Sequence, residues 1–556
     1  MWLAWDESNA NWGKDWTHQD QNHGTTLYAD RNIRVAVRTS GGWKQAGEFS
    51  ATVPERIRRY PELPHLAVDG AGRVWLLFQV RTSTQSTHDD VWATGGLWDL
   101  YLTTCDAAGW RPAAFVPHSN ARPEVPFRIA GARNGVWMVW STDGMVFRGR
   151  PGTHELPSMR HYDLFAAYAP SPPPAGTPVL TDLEFPVVRP QMIHPHEKAD
   201  VARIRGYRTT VGGVTYRILR GDFHRHTAIS YDGAGDGSLN DYYRYMLDAA
   251  AMDTSIIGDH NMGGDVEYNW WRTETSYDVF HIRDRFTPLF GYERSVKYPN
   301  GHRNVVFDHR GVPTLPVGTA ENQGRVNSGP IRFPYLRQNR GICMDHSMAT
   351  GQGTDYRDND PELEPLVEIY QGYHASYEYA GAPRAENPSR ILALHGPYEP
   401  KGFWWNALAK GLKLGVEASS DHISTHVSYA MIYTPGTGRT EIVENMRQRH
   451  TYAATDNIVV DFEAGPDGGP LHLMGEEFTC TGRPLLHVKV QGTAPIASVE
   501  LIRDNEFVYT QRPGGTAVDF IYTDQSPRPG ENWYYIRVTQ EDGNLAWSSP
   551  VWIRQR

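Results

Sequence analysis

The sequence predicts a multidomain protein with an α/β region between two all-β regions. In residues 205–460, apolar runs of strand length alternate with helix-length segments, a rhythm typical of an α/β barrel or a related parallel sheet. Residues 1–168 and 461–556 instead alternate strand-like runs with turn residues. Between the first two regions, residues 169–204 are rich in proline, which suits neither helices nor central strands and predicts a linker.

The first region carries a weak internal repeat. Tryptophan-containing apolar runs begin at Trp2, Gly72 and Gly135, roughly 60 to 70 residues apart. This spacing predicts about three blade-like sheets of a propeller. Because the chain starts inside the first run, we expect the repeat to have begun upstream. An irregular β-sandwich is the alternative interpretation.

Elements of the other two regions are predicted from apolar spacing. A helix is expected from Leu239 to Met252, with Ser238 as its N-cap, followed by a short buried strand at 255–258. Further strands are expected at 366–370 and 414–418. After residue 461, alternating strands separated by turn residues predict a β-sandwich of immunoglobulin-like size.

Composition excludes several classes of protein. The net charge of −10 provides no basic surface for nucleic-acid phosphates, so a nucleic-acid partner is disfavoured. We find no apolar run of bilayer-spanning length and no signal peptide in the chain, so we expect a soluble protein whose compartment stays open. Cys105, Cys343 and Cys480 are far apart and read as buried thiols.

The most informative stretch is Gly221–Thr227, which contains His224 and His226. In an extended chain, residues i and i+2 point to the same side, so both imidazoles can reach one metal ion. Other histidines and carboxylates follow predicted strands, where an α/β barrel collects its ligands. They are Asp259, His260, Glu293, His302, His346, Asp421 and His422.

This mixture of nitrogen and carboxylate ligands suits Zn, Mn or Fe. The candidates outnumber the ligands of a single ion, so two or three divalent ions are expected, with Glu293 suited to bridge them. Two of these histidines have an alternative interpretation. His302 could be a surface residue in a Gly-His-Arg-Asn turn, and His346 could belong to a helix cap. We find no G-x-S-x-G motif to supply a serine nucleophile.

Residues 220 to about 455 resemble the PHP superfamily of metallohydrolases, named after polymerase and histidinol phosphatase. The motifs are His-x-His-Thr followed by Asp232-Gly233, then Asp259-His260, Glu293, His302, His346 and Asp421. The resemblance implies a distorted (β/α)7 barrel. The runs Val367–Gly372 and Arg447–Thr455 resemble a large, often exported branch similar to aryl-carbamate hydrolases of the carbaryl type.

The resemblance also implies three ligand sets. The first ion would be held by His224, His226, Glu293 and Asp421. The second would be held by Glu293, His302 and His346. The third would be held by Asp232, His260 and His422.

Further residues are candidates for catalysis and substrate binding. A site histidine or aspartate would assist the leaving group, and the catalytic candidates are Asp259, His422 and Arg294. The substrate-binding candidates are Arg225, Arg294, Arg303, Asn304 and Tyr370. Each arginine has an alternative role in a salt bridge to one of the nearby aspartates.

Together these features predict a metal-dependent hydrolase that uses a metal-bound hydroxide. The leading substrate is a small-molecule phosphoester, that is a phosphomono-, di- or triester, because metal ions and arginines suit charge on phosphoryl oxygens. The first alternative is hydrolysis of carboxyl esters, carbamates or amides at the same centre. The second is a carbohydrate- or surface-binding protein with a non-catalytic barrel.

Overall fold

A computed structural model describes all of the chain except residues 9–30, 56–57, 59–60, 84–96, 120–125, 143–162, 174–175, 186–195, 228, 231–235, 262–265, 318–322, 373–374, 386 and 423–426. The candidate ligand Asp232 lies outside the described residues. Among the described helices, none has the length and apolar character required to cross a bilayer.

The N-terminal region contains three antiparallel sheets within the described residues. The first consists of β1 (Trp2–Ser8), β2 (Arg31–Thr39), β3 (Gly42–Gln45) and β12 (Thr181–Asp182). The second consists of β4 (Pro61–Val68), β5 (Val74–Ser83), β6 (Leu97–Asp106), β7 (Gly109–Trp110) and β8 (Ala114–Phe115). The third consists of β9 (Phe127–Ala132), β10 (Gly135–Thr142) and β11 (Asp163–Pro170).

Each of the three tryptophan-containing runs therefore lies in a different sheet, in β1, β5 and β10. Aromatic packing within this region accounts for part of the repeat. Trp110, for example, makes edge contacts with Trp2 and Phe49, at ring-centroid distances of 6.5 Å and 5.8 Å. A propeller arrangement of these sheets stays a prediction.

The central region is built from two sheets. The inner sheet consists of β17 (Phe290–Arg294), β18 (Arg303–Phe307), β19 (Ile342–Asp345), β20 (Leu366–Gln371) and β21 (Gly415–Ser419). The other sheet is one end of a longer sheet. In the central region it consists of β13 (Arg208–Val211), β14 (Val214–Asp222), β15 (Thr254–Ser255), β16 (Thr287–Pro288), β22 (Tyr429–Thr434) and β23 (Thr451–Ala454).

Short helices connect many of these strands. They are α1 (Glu197–Gly206), α2 (Leu239–Arg244), α3 (Val266–Val279), α4 (Gln323–Val326), α5 (Gly329–Gln338), α6 (Pro388–His395), α7 (Trp404–Ala409) and α8 (Arg439–Arg447). Ser238 caps α2 as predicted, with its side chain accepting the N–H of Asp241. The α-helix is shorter than predicted, because a π-helical turn replaces it over Tyr245–Ala249.

One apolar cluster lies between the two central sheets. Leu219 of β14 and Ile432 of β22 come from the longer sheet, whereas Met344 of β19 and Leu366 of β20 come from the inner sheet. Ile442 of α8 packs into the same cluster. Both sheets thus face a common interior, although a closed (β/α)7 barrel stays a prediction.

Strand direction differs from the expected parallel sheet. β14, β15 and β16 are parallel to one another, as are β19, β20 and β21. However, β18 is antiparallel to both of its neighbours, and β22 is antiparallel to β14. The chain between β17 and β18 is a short connection without a helix, which makes an antiparallel pair the direct outcome.

The C-terminal region contains a second part of the longer sheet and a four-stranded outer sheet. The longer sheet gains β26 (Glu477–Cys480), β28 (Ile496–Arg503), β29 (Glu506–Gln511), β31 (Gly530–Gln540), β32 (Leu545–Ser548) and β33 (Val551–Gln555). The outer sheet consists of β24 (Val459–Pro466), β25 (His472–Leu473), β27 (Pro484–Gln491) and β30 (Ala517–Thr523). Both contribute to one apolar cluster; an immunoglobulin topology stays a prediction.

The central and C-terminal regions are joined by backbone pairing. β23 is antiparallel to β32, with Ala453 opposite Trp547, so the longer sheet runs through both regions without a break. The domain boundary predicted at residues 460–461 falls inside β24 (Val459–Pro466), a few residues after the end of β23.

A buried carboxylate reinforces this junction. Glu378, which follows β20, is fully buried and accepts hydrogen bonds from three C-terminal side chains. Tyr535 Oη lies 2.6 Å from its Oε1, while Arg537 Nη1 and Trp547 Nε1 lie 2.8 Å and 3.0 Å from its Oε2. Because a buried charge is tolerated only when it is paired and hydrogen-bonded, these contacts fix Glu378 against the C-terminal strands.

We expect Glu378→Gln to lower the free energy of unfolding by about 2 to 4 kcal/mol, because Arg537 loses a buried charged partner. Urea denaturation measures the change. Glu506→Gln is the matched control, since its ion pair with Arg528 is exposed and exposed pairs contribute little. Equal losses in the two variants would contradict the role assigned to Glu378.

Candidate metal centre

The candidate ligands meet where several central strands end. His224 and His226 follow β14, His346 follows β19, and Asp421 and His422 follow β21. Glu293 lies within β17, with His260 paired to it by an isolated bridge, and His302 precedes β18. All predicted ligands within the described residues therefore lie close together, at the ends of strands.

Glu293 is the hub of this cluster. Its Oε2 lies 3.4 Å from His224 Nε2, 3.3 Å from His226 Nε2 and 3.1 Å from His260 Nδ1. Its Oε1 lies 2.7 Å from His302 Nδ1 and 3.3 Å from His346 Nε2. The two oxygens of one carboxylate thus face two different groups of imidazoles.

Asp421 forms a second meeting point. Its Oδ1 lies 3.0 Å from His226 Nε2, 3.2 Å from His422 Nε2 and 3.9 Å from His224 Nε2. Asp421 has a φ of 67°, in the left-handed region that residues other than glycine seldom adopt. Such a conformation just after β21 is typical of residues held in place at a functional site.

Three groups of side chains have ligand atoms close enough for one ion each. They are His224, His226 and Glu293; Glu293, His302 and His346; and His226, Asp421 and His422. The first group is part of the first ligand set that the PHP resemblance implies, and the second group has the same three residues as the second set. His422 is grouped with Asp421 and His226 instead of His260. The ligand assignments stay predictions.

Four of these imidazoles face Glu293 or Asp421 with Nε2 and contact another oxygen with Nδ1, which orients the ring. The Nδ1 of His224 lies 2.9 Å from Oε2 of Glu368, and the Nδ1 of His422 lies 2.7 Å from Oδ2 of Asp236. Ser230 and Ser347 contact the Nδ1 atoms of His226 and His346, each at 3.2 Å. The two carboxylates favour a proton on Nδ1 and leave Nε2 for a metal, a common arrangement around ligating histidines, whereas the serine hydroxyls can donate or accept.

Glu368 and Asp236 were not among the candidates from sequence. Glu368 lies within the apolar run Leu366–Tyr370, where it reads as an ordinary strand residue. A carboxylate in the middle of a fully buried strand is itself a signal, because an unpaired charge there is costly.

The charges of the cluster favour a cation. Burial raises the pKa of Glu293, but His260 and His346 outweigh it and hold that pKa well below its ordinary value. Burial and the neighbouring His224 lower the pKa of His346 well below its ordinary value. Burial also lowers the pKa of His224, but Glu368 and Asp421 outweigh it and raise the pKa well above the ordinary value. A metal ion would take the place of the proton on His224.

The donor set fits divalent transition metals. Imidazole nitrogens and carboxylate oxygens suit Zn, Mn or Fe. In addition, Nε2 of His346 and Oε2 of Glu293 are buried and lack a well-formed hydrogen bond among the described residues. Buried polar atoms without hydrogen bonds are rare in proteins, and a coordinated ion would satisfy both.

Asp259, a catalytic candidate, is engaged with the loop that carries His226. Its Oδ1 and Oδ2 accept hydrogen bonds from the backbone N–H and the hydroxyl of Thr227, both at 2.6 Å. Because both oxygens are used in this way, the geometry favours a structural role for Asp259. Of the other catalytic candidates, His422 lies in the cluster.

The arginine candidates are occupied elsewhere. Arg294 follows Glu293 in β17 and so points to the opposite face, where it donates to Pro316 O and Asn327 Oδ1. Arg303 pairs with Asp345 and Glu364, at 2.9 Å in each case. Arg303 therefore has the salt bridges of the alternative interpretation, whereas Arg294 is held by carbonyl and amide oxygens. The predicted role of Arg294 in catalysis and those of both residues in substrate binding stay predictions, which these contacts do not support.

Arg225 is also enclosed. Its guanidinium carbon lies 4.8 Å from the centre of the Tyr245 ring, and its Nε lies 3.9 Å from Asp236 Oδ1. The side chain is 1% exposed, so it packs between the loop and the helical turn after α2. The geometry speaks against the predicted contact with substrate.

The remaining two substrate-binding candidates, Tyr370 and Asn304, differ in their position relative to the centre. Tyr370 faces away from the centre: its ring stacks on Trp547, and its hydroxyl accepts from Arg384 Nη1 at 3.3 Å. Asn304 lies directly opposite Glu293 in the β17–β18 pair and is fully buried, with no hydrogen bond to its amide among the described residues. Its predicted role in substrate binding stays a prediction.

Comparison with known proteins gives relatives of unassigned role. No family profile matches the chain. An uncharacterized protein of Chlamydia trachomatis serovar D is 33% identical over 395 residues, covering 63% of this chain and 59% of the relative. An uncharacterized protein of Chlamydia pneumoniae is 27% identical over 354 residues, covering 56% and 53% respectively. The chain thus spans less than two thirds of the length of the relatives it matches.

Two solved structures show weak likeness. A two-domain protein from Bacteroides vulgatus, described as containing a predicted PHP-like metal-dependent phosphoesterase, has 14% identity and a TM-score of 0.31, covering 62% of this chain and 97% of that one. Fibronectin(III)-like modules of CbhA from Clostridium thermocellum have 15% identity and a TM-score of 0.11, covering 14% and 88%. At these TM-scores, neither likeness carries an argument about activity, and neither concerns the carbaryl-type branch.

We expect Glu368→Gln to weaken zinc binding about 10- to 100-fold, because the amide no longer neutralises and orients His224. Competition with a chromogenic chelator measures the affinity. Glu417→Gln is the matched control: Glu417 is a buried carboxyl opposite Glu368 in the next strand, burial raises its pKa well above its ordinary value, and its Oε2 accepts a hydrogen bond from Ser419 Oγ. A wild-type affinity in Glu368→Gln would contradict the proposed orientation of His224.

Proposed function

We propose that this protein is a metal-dependent hydrolase. The observation that carries the proposal is the bridging position of Glu293, whose two oxygens face separate groups of histidines. A carboxylate in this position is suited to join two ions. When bound, such a pair of ions activates water for attack and polarises the ester that is cleaved.

The residues of the chain have distinct tasks in this proposal. His224, His226, His302 and His346 present nitrogens to the ions around Glu293, and Asp421 contributes one carboxylate oxygen. His422 lies at the edge of the cluster and is only half-buried, with its Nδ1 held by Asp236. This position makes His422 the best candidate for donating a proton to the leaving group, because it combines access to solvent with a fixed ring.

A small-molecule phosphoester is the proposed substrate. Two ions held by the residues around Glu293 would compensate the charge that develops on the oxygens of a phosphoryl group. The donor set around Glu293 provides this chemistry without a serine or cysteine nucleophile.

A carboxyl ester or carbamate is the second candidate, and one observation favours it. Arg294 and Arg303 are engaged in contacts away from the cluster, and Arg225 is enclosed against Tyr245 and Asp236. These contacts favour a site in which the three guanidinium groups do not bind a phosphate. A substrate with less charge would need no such partner. The same ions would polarise its carbonyl group.

The test combines metal content with a substrate panel. We expect purified wild type to hold at least two transition-metal ions per chain and to hydrolyse one class among aryl phosphomono-, di- and triesters and an aryl carboxyl ester. In His224→Ala/His226→Ala, both metal and activity should fall by at least 100-fold, since removal of two ligands dismantles the first ligand group.

The matched control is His472→Ala/His487→Ala, which removes two histidines paired with carboxylates outside the centre. This variant should keep both metal and activity. Wild type that holds no metal, and hydrolyses nothing after Zn or Mn is added, would overturn the proposal. Binding of a glycan by such a metal-free protein would favour a carbohydrate-binding role.

A further inference from the structure

We propose that Gln371 is a positioning residue that holds Asp421 as a ligand through one oxygen only. This inference rests on the proposed metal centre and deepens it. Gln371 is the last residue of β20 and is fully buried. Its Nε2 donates a hydrogen bond of 2.6 Å to Oδ2 of Asp421.

Because of this hydrogen bond, the two carboxylate oxygens of Asp421 have different partners. Oδ2 of Asp421 is occupied by Gln371, whereas Oδ1 faces the Nε2 atoms of His226 and His422 at 3.0 Å and 3.2 Å. Rotation of the carboxylate would break the bond to Gln371. Gln371 therefore favours one orientation, in which a single oxygen points at the imidazoles.

The orientation of the Gln371 amide is fixed from its other end. Its Oε1 accepts a hydrogen bond from Ser347 Oγ at 3.1 Å, and Tyr377 Oη lies 3.5 Å away. A carboxylate accepts hydrogen bonds only, so an amide flip would bring two acceptors together at Asp421. Hydroxyl donors at Oε1 and a carboxylate acceptor at Nε2 thus specify a single orientation of the Gln371 amide.

Gln371 also links two parts of the centre. Ser347, which holds its Oε1, contacts Nδ1 of His346 at 3.2 Å. Ser347 and Asp421 both have positive φ, of 51° and 67°. Because such conformations are unfavourable for residues with a side chain, the hydrogen bonds that the buried amide accepts from Ser347 and donates to Asp421 help to retain them.

A β-bulge explains why Gln371 faces the centre. In the pairing of β20 with β21, Glu368 lies opposite Glu417 and Tyr370 lies opposite Ala418, so Ile369 is an extra residue. Without this extra residue, alternation would place Gln371 with Ile369 on the face of β20 that points away from the centre. The bulge turns Tyr370 outward and Gln371 inward, which is the use that bulges near active sites commonly have.

The test uses Gln371→Met, which retains length and volume but has no N–H donor. We expect the zinc affinity of the reloaded protein to fall about 10- to 100-fold, and kcat on the best ester of the panel to fall with KM unchanged. Gln371→Glu should bind zinc no better than Gln371→Met, because it retains the acceptor for Ser347 but places a carboxylate against Asp421. If Gln371→Met does not fold, Gln371→Glu decides the question.

Gln540→Met is the matched control, since Gln540 is a buried glutamine with hydrogen bonds to Thr493 and Asp542, in the C-terminal region. It should leave zinc affinity unchanged. Wild-type zinc affinity in folded Gln371→Met or Gln371→Glu would overturn the inference and leave the hydrolase proposal intact. Zinc binding without hydrolysis of any ester would overturn the hydrolase proposal alone. Wild type that holds no transition-metal ion, and binds neither Zn nor Mn when they are added, would overturn both.

Discussion

The structure of the centre depends on one buried charge, the carboxylate of Glu293. Moving a carboxylate from water into the interior costs several kcal/mol unless other groups compensate it. Here the compensation comes from histidines delivered by different strands, among them His224, His302 and His346. Since no single segment supplies enough partners, the strands must assemble in one register before the charge of Glu293 is satisfied. The requirement for charge balance thus constrains the fold around the site.

Much of the site could be predicted from sequence, because its ligands occur in short motifs where strands end. Period-two alternation placed His224 and His226 on one side, and they do share Glu293. The same alternation applies to Arg294, which follows Glu293 and must face the other way. Proximity in sequence suggested a shared role there, whereas the pleat of the strand separates the two side chains.

Residues that orient the ligands were harder to predict, because their roles arise from contacts across long stretches of sequence. Glu368 contacts His224, which is 144 positions away. Gln371 reaches the centre only because a bulge reverses the alternation of β20. The pairing of β23 with β32 likewise joins segments about 90 residues apart. Composition and periodicity describe neighbours along the chain and contain little information about such partners.

The longer sheet has a consequence for how the molecule loses its structure. Backbone pairing of β23 with β32 and the burial of Glu378 against Arg537 connect the C-terminal strands to the central region. We therefore expect the central and C-terminal regions to melt as one cooperative unit. An ion bound at Glu293 would raise the melting temperature of strands that never touch it, because ligand binding stabilises the whole of the unit that must unfold to release it.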